Sequence, residues 1–223
     1  MRQLVWLDLC SGLGGASQPA LDRGWKVIRV DIDPRFKPDI VADVRALPLK
    51  PFHVDVLWAS PPCQEFSKFG MRCFYPDPPQ PDLSIARGVR DFIDLSHPEM
   101  WVVENVRASR PFLNCVFGPP RVVIPGHALW SDSLLMLPNI DAHKSQSAAL
   151  TNRGVGAIPN KKLKWVGSKK IWQQPAVAFG PKRYGAEAAT AAKIPYEIGE
   201  AICTAVERRE ADLVEQRKLD GTG

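Results

Sequence analysis

The sequence predicts an α/β fold, a doubly wound and mostly parallel sheet that carries a small basic appendage. Three observations point to it. Short β-rich runs alternate with segments of helical spacing. Polar residues gather where those runs end. From about Pro119 to Gly185 the alternation gives way to a stretch rich in Gly, Pro, Lys and Trp. Strands buried on both faces read as apolar runs, and such sheets bind ligands beyond the carboxyl ends of their strands.

Four runs qualify as strands: Leu4 to Asp8, Lys26 to Asp31, Val54 to Ala59 and Met100 to Glu104. After the first, Pro19 falls in the opening turn of a helix and Gly24 just past its end. Asp82 is placed to cap a second helix, whose apolar positions Ile85, Val89, Phe92 and Ile93 follow helical spacing. A last helix begins near Pro195 and puts Ile198, Ile202, Ala205 and Val206 on one face. The charged stretch from Glu207 to Gly223 reads as a helix fraying into disorder. The expected division is a main domain over 1–118, an irregular or β-containing segment over 119–185, a returning helix over 186–210 and a charged tail over 211–223.

A chain of 223 residues suits one such domain with a real core. With 45% hydrophobic and 24% charged residues, neither wholesale disorder nor a membrane protein is expected, and no apolar run reaches spanning length. Met1 to Cys10 carries Arg2 and Asp8 and runs into a glycine-rich turn, so it reads as a strand and not a signal peptide; a cytoplasmic location is the expectation. The cysteines Cys10, Cys63, Cys73, Cys115 and Cys203 are odd in number, widely spaced and free of C-x-x-C, which predicts reduced thiols, no disulfide framework and no metal site.

The net charge of +5 is unevenly spread. No Asp or Glu lies between Ala142 and Ala186, where Lys144, Arg153, Lys161, Lys162, Lys164, Lys169, Lys170, Lys182 and Arg183 supply nine positive charges; the rest of the chain holds 20 basic against 24 acidic residues. With Trp165 and Trp172 inside it, the segment suits phosphate contact. A solvated basic loop is the alternative, and for a charge run alone the commoner one.

Three sites follow strand ends. Asp8-Leu9-Cys10-Ser11-Gly12-Leu13-Gly14-Gly15 is a glycine-rich turn between strand and helix, a setting in which backbone N–H groups meet an anionic ligand group. Alone it serves a dinucleotide or a tight turn equally well, and G-x-G-x-x-G is not met. Asp31 ends the second strand where such folds place a carboxylate on ribose hydroxyls, and Asp43 falls on the neighbouring strand end. Each singly is as readily a turn or capping aspartate; Asp8, Asp31 and Asp43 converging on one rim are not. Ala59-Ser60-Pro61-Pro62-Cys63-Gln64-Glu65-Phe66-Ser67 holds a cysteine outside any apolar periodic run, unlike Cys203, and so favours a reactive thiol. Trp101-Val102-Val103-Glu104-Asn105-Val106 delivers a carboxylate and an amide to the same rim.

In that order these segments resemble the cofactor loop, the nucleophile motif and the Glu-Asn-Val motif of the DNA cytosine-5 methyltransferases. Ala192-Lys193-Ile194-Pro195 before the last helix is similar to short, phage-type members. The resemblance covers most of residues 4–107 and again about 183–206. It implies a class I S-adenosylmethionine-dependent methyltransferase fold and methyl transfer to carbon 5 of a flipped cytosine. Cys63 is then the nucleophile, with Pro62, Glu104 and Asn105 as catalytic neighbours. Glu104, at least transiently protonated, acts at ring nitrogen 3, and Asn105 orients Glu104 or the base. The resemblance assigns S-adenosyl-L-methionine to Asp8, Cys10, Ser11, Gly12, Leu13, Gly14, Gly15, Asp31 (ribose), Ile32, Asp43 (adenine amino group) and Pro61. Double-stranded DNA is the implied partner. Gln64, Ser67, Lys161, Lys162, Lys164, Lys169 and Lys170 are its expected contacts, and the loop from Gln64 to Pro81 is expected to close over the base.

The pattern also departs from the family. Cys10 stands where an aromatic residue is usual. No Gln-x-Arg-x-Arg element is present, Arg121 and Arg183 being its stand-ins, and the Asn-Ser-Val signature is missing. The short recognition region leaves room for a partner chain. RNA as substrate, a silent DNA-binding subunit and an enzyme of free cytidine monophosphate stay open as alternatives.

Overall fold

The structure, a computed structural model, describes residues 2–70, 77, 79–133, 135, 137 and 194–220. Its strands are β1 Val5–Leu9, β2 Lys26–Asp31, β3 Ile40–Val41, β4 Val56–Ala59, β5 Trp101–Val106, β6 Val122–Ile124 and β7 His127–Ser131. They form one sheet in the order β3-β2-β1-β4-β5-β7-β6. The first five run parallel, while β7 is antiparallel to β5 and β6 to β7. From β1 the chain winds outward through β2 and β3, then returns to β4 on the other side. That reversal opens a crevice between the ends of β1 and β4, the usual ligand position in such sheets. Register fixes it: Leu9 pairs with Ala59, and Ser60 N donates to Leu9 O at 3.1 Å.

Alternate side chains pack on opposite faces. Leu7, Leu9, Leu57, Ala59 and Val103 join a core with α2 (Gln64–Gly70), α3 (Ser84–Ser96) and α4 (Arg110–Phe117). Trp6, Val56, Trp58, Val102 and Leu129 pack against α1 (Gln18–Asp22) and α5 (Tyr196–Leu219). Because both faces are covered, the strands are apolar throughout, and only their ends carry polar groups into the interior. Gly199 of α5 sits so close to α1 that a Cβ there would lie 2.2 Å from Ala16 O.

The four strands expected from sequence are present with ends shifted by a residue or two, and α1 has Pro19 in its first turn and Gly24 beyond its end at φ +77°. Other expectations change. Leu83, not Asp82, occupies the cap position of α3, although Asp82 still accepts from Ser84 N at 2.8 Å. On α5 Ala205 is exposed, and Gly199 and Cys203 join Ile198, Ile202 and Val206 in the buried face. The helix runs on to Leu219 instead of fraying from Glu207. Glu, Arg, Gln and Lys are good helix formers, and Arg209 to Glu99 and Arg2 to Glu210 tie the overhang's first turn to the body. Finally, Val122–Ser131 is not an appendage. It forms two strands of the sheet itself. Among the described residues no helix is long and apolar enough to cross a membrane.

Candidate active site

The loop after β1 turns back on itself to meet Asp31. Gly12 N donates to Asp31 Oδ2 at 2.8 Å, and Asp33 N donates to Oδ1 at 2.9 Å. Gly14, at φ +68°, lets Arg29 pass close: a Cβ there would fall 2.3 Å from its Cζ. Arg29 in turn donates to Gly14 O at 3.2 Å and to Ser17 Oγ at 3.1 Å, and Ser17 Oγ donates to Asp8 Oδ2 at 2.6 Å. Burial pushes the Asp8 carboxyl up to about 7, more than the Ser17 bond and the Arg29 charge hold it down. Asp8 Oδ1 and Ser11 Oγ are buried with no hydrogen-bond partner among the described residues.

Cys10, in the left-handed region at φ +55°, has its thiol pushed up first by burial and then by the charges of Asp31, Asp8 and Asp43. The three acids therefore act on one point of the rim. Gly15 is buried, whereas Leu13 and Ile32 are exposed. Asp43 is already engaged: its carboxylate pairs with the Arg45 guanidinium at 2.5 Å and accepts from Arg45 N at 2.9 Å, which holds it down at about 2.

The loop after β4 presents a buried Pro61, an exposed Pro62 and a half-buried Cys63. Ser67 N and Ser67 Oγ both donate to Cys63 O at 2.9 Å, so the nucleophile's backbone forms the first turn of α2. Ser67, expected as a DNA contact, thus has its hydroxyl turned to the protein. Gln64 is exposed in that turn. The expected flexible loop from Gln64 is helical to Gly70, with Phe66 buried and Phe69 packed 4.4 Å from Phe112, ring to ring. A cavity of about 160 Å³ between this loop and α3 is lined by apolar Pro61, Pro62, Phe66, Ile85 and Ala86 and by polar Gln64, Glu65 and Asp82.

Asn105 does not orient Glu104. Its Nδ2 donates to Pro61 O at 2.8 Å and its Oδ1 accepts from Val106 N at 2.9 Å, so the amide fastens the nucleophile loop to β5. Glu104 and Cys63 lie near enough for the carboxylate charge to bear on the thiol. The thiol is pushed up to about 11, first by burial and then by the Glu104 charge, with Ser67 opposing.

Sequence reasoning missed His127. Its Nδ1 lies 2.6 Å from Glu104 Oε1, and both side chains are buried. In the β5·β7 register Glu104 opposes Leu129 and Val106 opposes His127, which makes Glu104 and His127 diagonal neighbours on one face. Burial draws the imidazole's affinity for a proton down, but the hydrogen bond and charge of Glu104 outweigh it and the net direction is up. The signal was there in Val122-Val123-Ile124-Pro125-Gly126-His127-Ala128-Leu129-Trp130, two β-rich runs around a Pro-Gly turn.

Arg121 is not at this rim. Its Nε donates to Ser131 O at 3.1 Å, and Ser131 pairs with Val102 at the opposite end of β5 from Glu104. Strand β6 runs in the same direction as β5, so Arg121, which precedes β6, lies at the end away from the rim. Lys161, Lys162, Lys164, Lys169, Lys170 and Arg183 lie outside the described residues. No group of three or more His, Cys, Asp or Glu fit to hold a metal occurs among the described residues.

Residues 6–110 match the family model for C-5 cytosine-specific DNA methylases. A protein of Frog virus 3 (isolate Goorha) named "Probable DNA (cytosine-5)-methyltransferase" is 32% identical over 116 residues, 47% of this chain and 54% of that protein. The chain thus spans about half the length of the curated relative it matches. Among solved structures, the Entamoeba histolytica methyltransferase EhMeth superposes with TM-score 0.40 at 14% identity, covering 63% of this chain and 58% of its own. The glycopeptide N-methyltransferase MtfA, solved with S-adenosylmethionine, gives TM-score 0.32 at 17% identity over 47% of this chain and 48% of its own.

Proposed function

We propose that this chain, whose residues 6–110 match the family model for C-5 cytosine-specific DNA methylases, transfers a methyl group from S-adenosylmethionine to carbon 5 of cytosine in DNA through a covalent adduct with Cys63. The observation that carries the reading is that Cys63, on the loop after β4, and Glu104, near the end of the neighbouring strand β5, lie at the same edge of the sheet, where the carboxylate charge bears on the thiol.

The cofactor loop fits the proposed group. S-adenosylmethionine has an ammonium, a carboxylate and ribose hydroxyls to satisfy, and supplies an electrophilic methyl on sulfur. Asp8 Oδ1 and Ser11 Oγ, buried without partners among the described residues, suit the polar amino-acid end. Asp31, proposed for the ribose hydroxyls, accepts from two backbone N–H groups, each leaving a lone pair on its oxygen. Asp43 keeps its place for the adenine amino group only alongside Arg45. Pro61 lines the cavity beside Ile85, an apolar wall for the ring.

Carbon 5 of cytosine is a weak nucleophile. Addition of the Cys63 thiolate to carbon 6, with a proton at nitrogen 3, turns the ring into an enamine whose carbon 5 takes the methyl. Solvent water then takes the carbon 5 proton, the Cys63–carbon 6 bond breaks with its electron pair returning to sulfur, and nitrogen 3 gives back its proton, which restores the ring. A proton on Glu104 serves twice: it neutralises the charge that keeps Cys63 a thiol, and it is the one donated at nitrogen 3. The target base must leave the helical stack, at a cost of a few kcal/mol, and the basic segment from Lys161 to Lys170 is assigned to the phosphates that offset it.

Incubation with labelled S-adenosylmethionine and either duplex DNA or tRNA tests the reading. Label is expected in DNA, absent with Cys63→Ala while cofactor binding persists, and DNA bearing 5-fluorocytosine should be trapped covalently. Label confined to tRNA, or normal turnover on the fluorinated base, would overturn it.

A further inference from the structure

We propose that His127 is a positioning residue for methyl transfer: as an imidazolium donating Nδ1–H to Glu104 Oε1, it holds the carboxyl group toward the base and keeps it supplied with the proton delivered to ring nitrogen 3. The inference rests on the function proposed above and goes beyond it, since the family resemblance assigns no histidine to this place.

The geometry is specific. The Nδ1–Oε1 separation of 2.6 Å is that of a short, charge-assisted hydrogen bond. His127 is 5% and Glu104 7% exposed, so water does not compete for the contact. Glu104 Oε2 has no hydrogen bond to any described residue, which leaves one oxygen for the substrate while the other is fixed. His127 Nε2 is likewise buried without a partner among the described residues. An unmade hydrogen bond in the interior is destabilising, and an apolar residue at position 127 would avoid it. The ring's contact with Glu104 is the compensation on view.

Protons balance along the chain of groups. As the Cys63 thiol gives its proton to solvent and the sulfur adds to carbon 6, the Nδ1 proton of His127 passes through the Glu104 carboxylate to nitrogen 3, leaving a neutral imidazole. On elimination, nitrogen 3 returns its proton to Glu104 and Glu104 returns one to His127, so the pair ends as it began. Glu104 on β5 is the ionisable group in contact with His127, and Cys63, on the loop after β4, is coupled to Glu104. Strand β6 brings only Val122, Val123 and Ile124, and the cations that follow β5, Arg107 and Arg110, are exposed. Glu104 is therefore what sustains the imidazolium, in agreement with the upward shift of His127.

The test compares wild type, His127→Asn and His127→Ala for kcat on duplex DNA at saturating cofactor from pH 6 to pH 10. Cofactor affinity and thermal midpoint serve as controls. Asparagine keeps a neutral donor near Nδ1 but cannot titrate. Wild type should show an alkaline limb on which the gain from thiolate formation is cancelled by loss of the imidazolium. In His127→Asn that limb should vanish, kcat rising steadily with pH from a value at pH 7 at least tenfold below wild type. His127→Ala should fall further, with cofactor affinity unchanged in both. A profile of unaltered shape in His127→Asn would overturn the proposal while leaving the enzyme reading intact. Wild type that transfers no methyl group to DNA would overturn that reading, and this inference with it.

Discussion

Asn105 Nδ2 donates to Pro61 O at 2.8 Å across 44 residues of sequence. The bond is fully buried. Through it the strand that bears Glu104 holds the loop that bears Cys63, so the two side chains share a mount. Asn105→Ala leaves the Pro61 carbonyl without its partner and should cost about 1–3 kcal/mol of stability. Asn105→Asp preserves shape but replaces the donor by an acceptor facing a carbonyl, so it should be at least as damaging. Both should depress kcat more than cofactor affinity. Denaturation midpoints and cofactor titration check this, and an Asp variant that retains full activity would contradict it.

The thiol of Cys63 stands at about 11, with burial and the Glu104 charge both favouring the protonated form. At neutral pH the group is therefore a thiol, and its alkylation should speed up about tenfold per pH unit until pH approaches 11. Glu104→Gln removes the negative charge, which lowers the thiol's affinity for its proton, so Cys63 in that variant should alkylate faster than wild type at pH 8. Peptide-resolved iodoacetamide labelling separates Cys63 from the exposed Cys115. Equal rates in the two proteins would show that the carboxylate does not act on the thiol.

Gly199 is where α5 crosses α1. A methyl group there would meet Ala16 O at 2.2 Å, and a backbone oxygen cannot swing aside as a side-chain tip does. Alanine raises helix propensity by about 1 kcal/mol, yet the overpacking costs about 1–3 kcal/mol and should win. Gly199→Ala is expected to lower the urea midpoint and, because Ala16 follows the cofactor loop directly, to weaken S-adenosylmethionine binding. An unchanged midpoint would mean that the two helices separate freely.

The parallel strands, the helix after β1 and the three chemical segments were legible in the sequence because each is a local matter. A β-rich run ending in Asp8, a Pro19-to-Gly24 helix or a cysteine behind two prolines keeps its meaning whatever the rest of the chain does. Ala205 was misplaced, by contrast, because burial around a helix depends on the direction from which the sheet approaches.

What the sequence determined by itself was therefore the kind of fold and the position of Cys63, Glu104 and the three acids at or just beyond strand ends. Tertiary structure alone decided how those groups are paired. Asn105 serves Pro61, Arg121 donates to Ser131 O on β7, and His127 reaches Glu104 from an antiparallel strand. The reason is physical. Strand propensity and turn chemistry act over a few residues, whereas a buried polar group takes whichever partner the folded backbone sets within 3 Å, and no spacing along the chain records that choice.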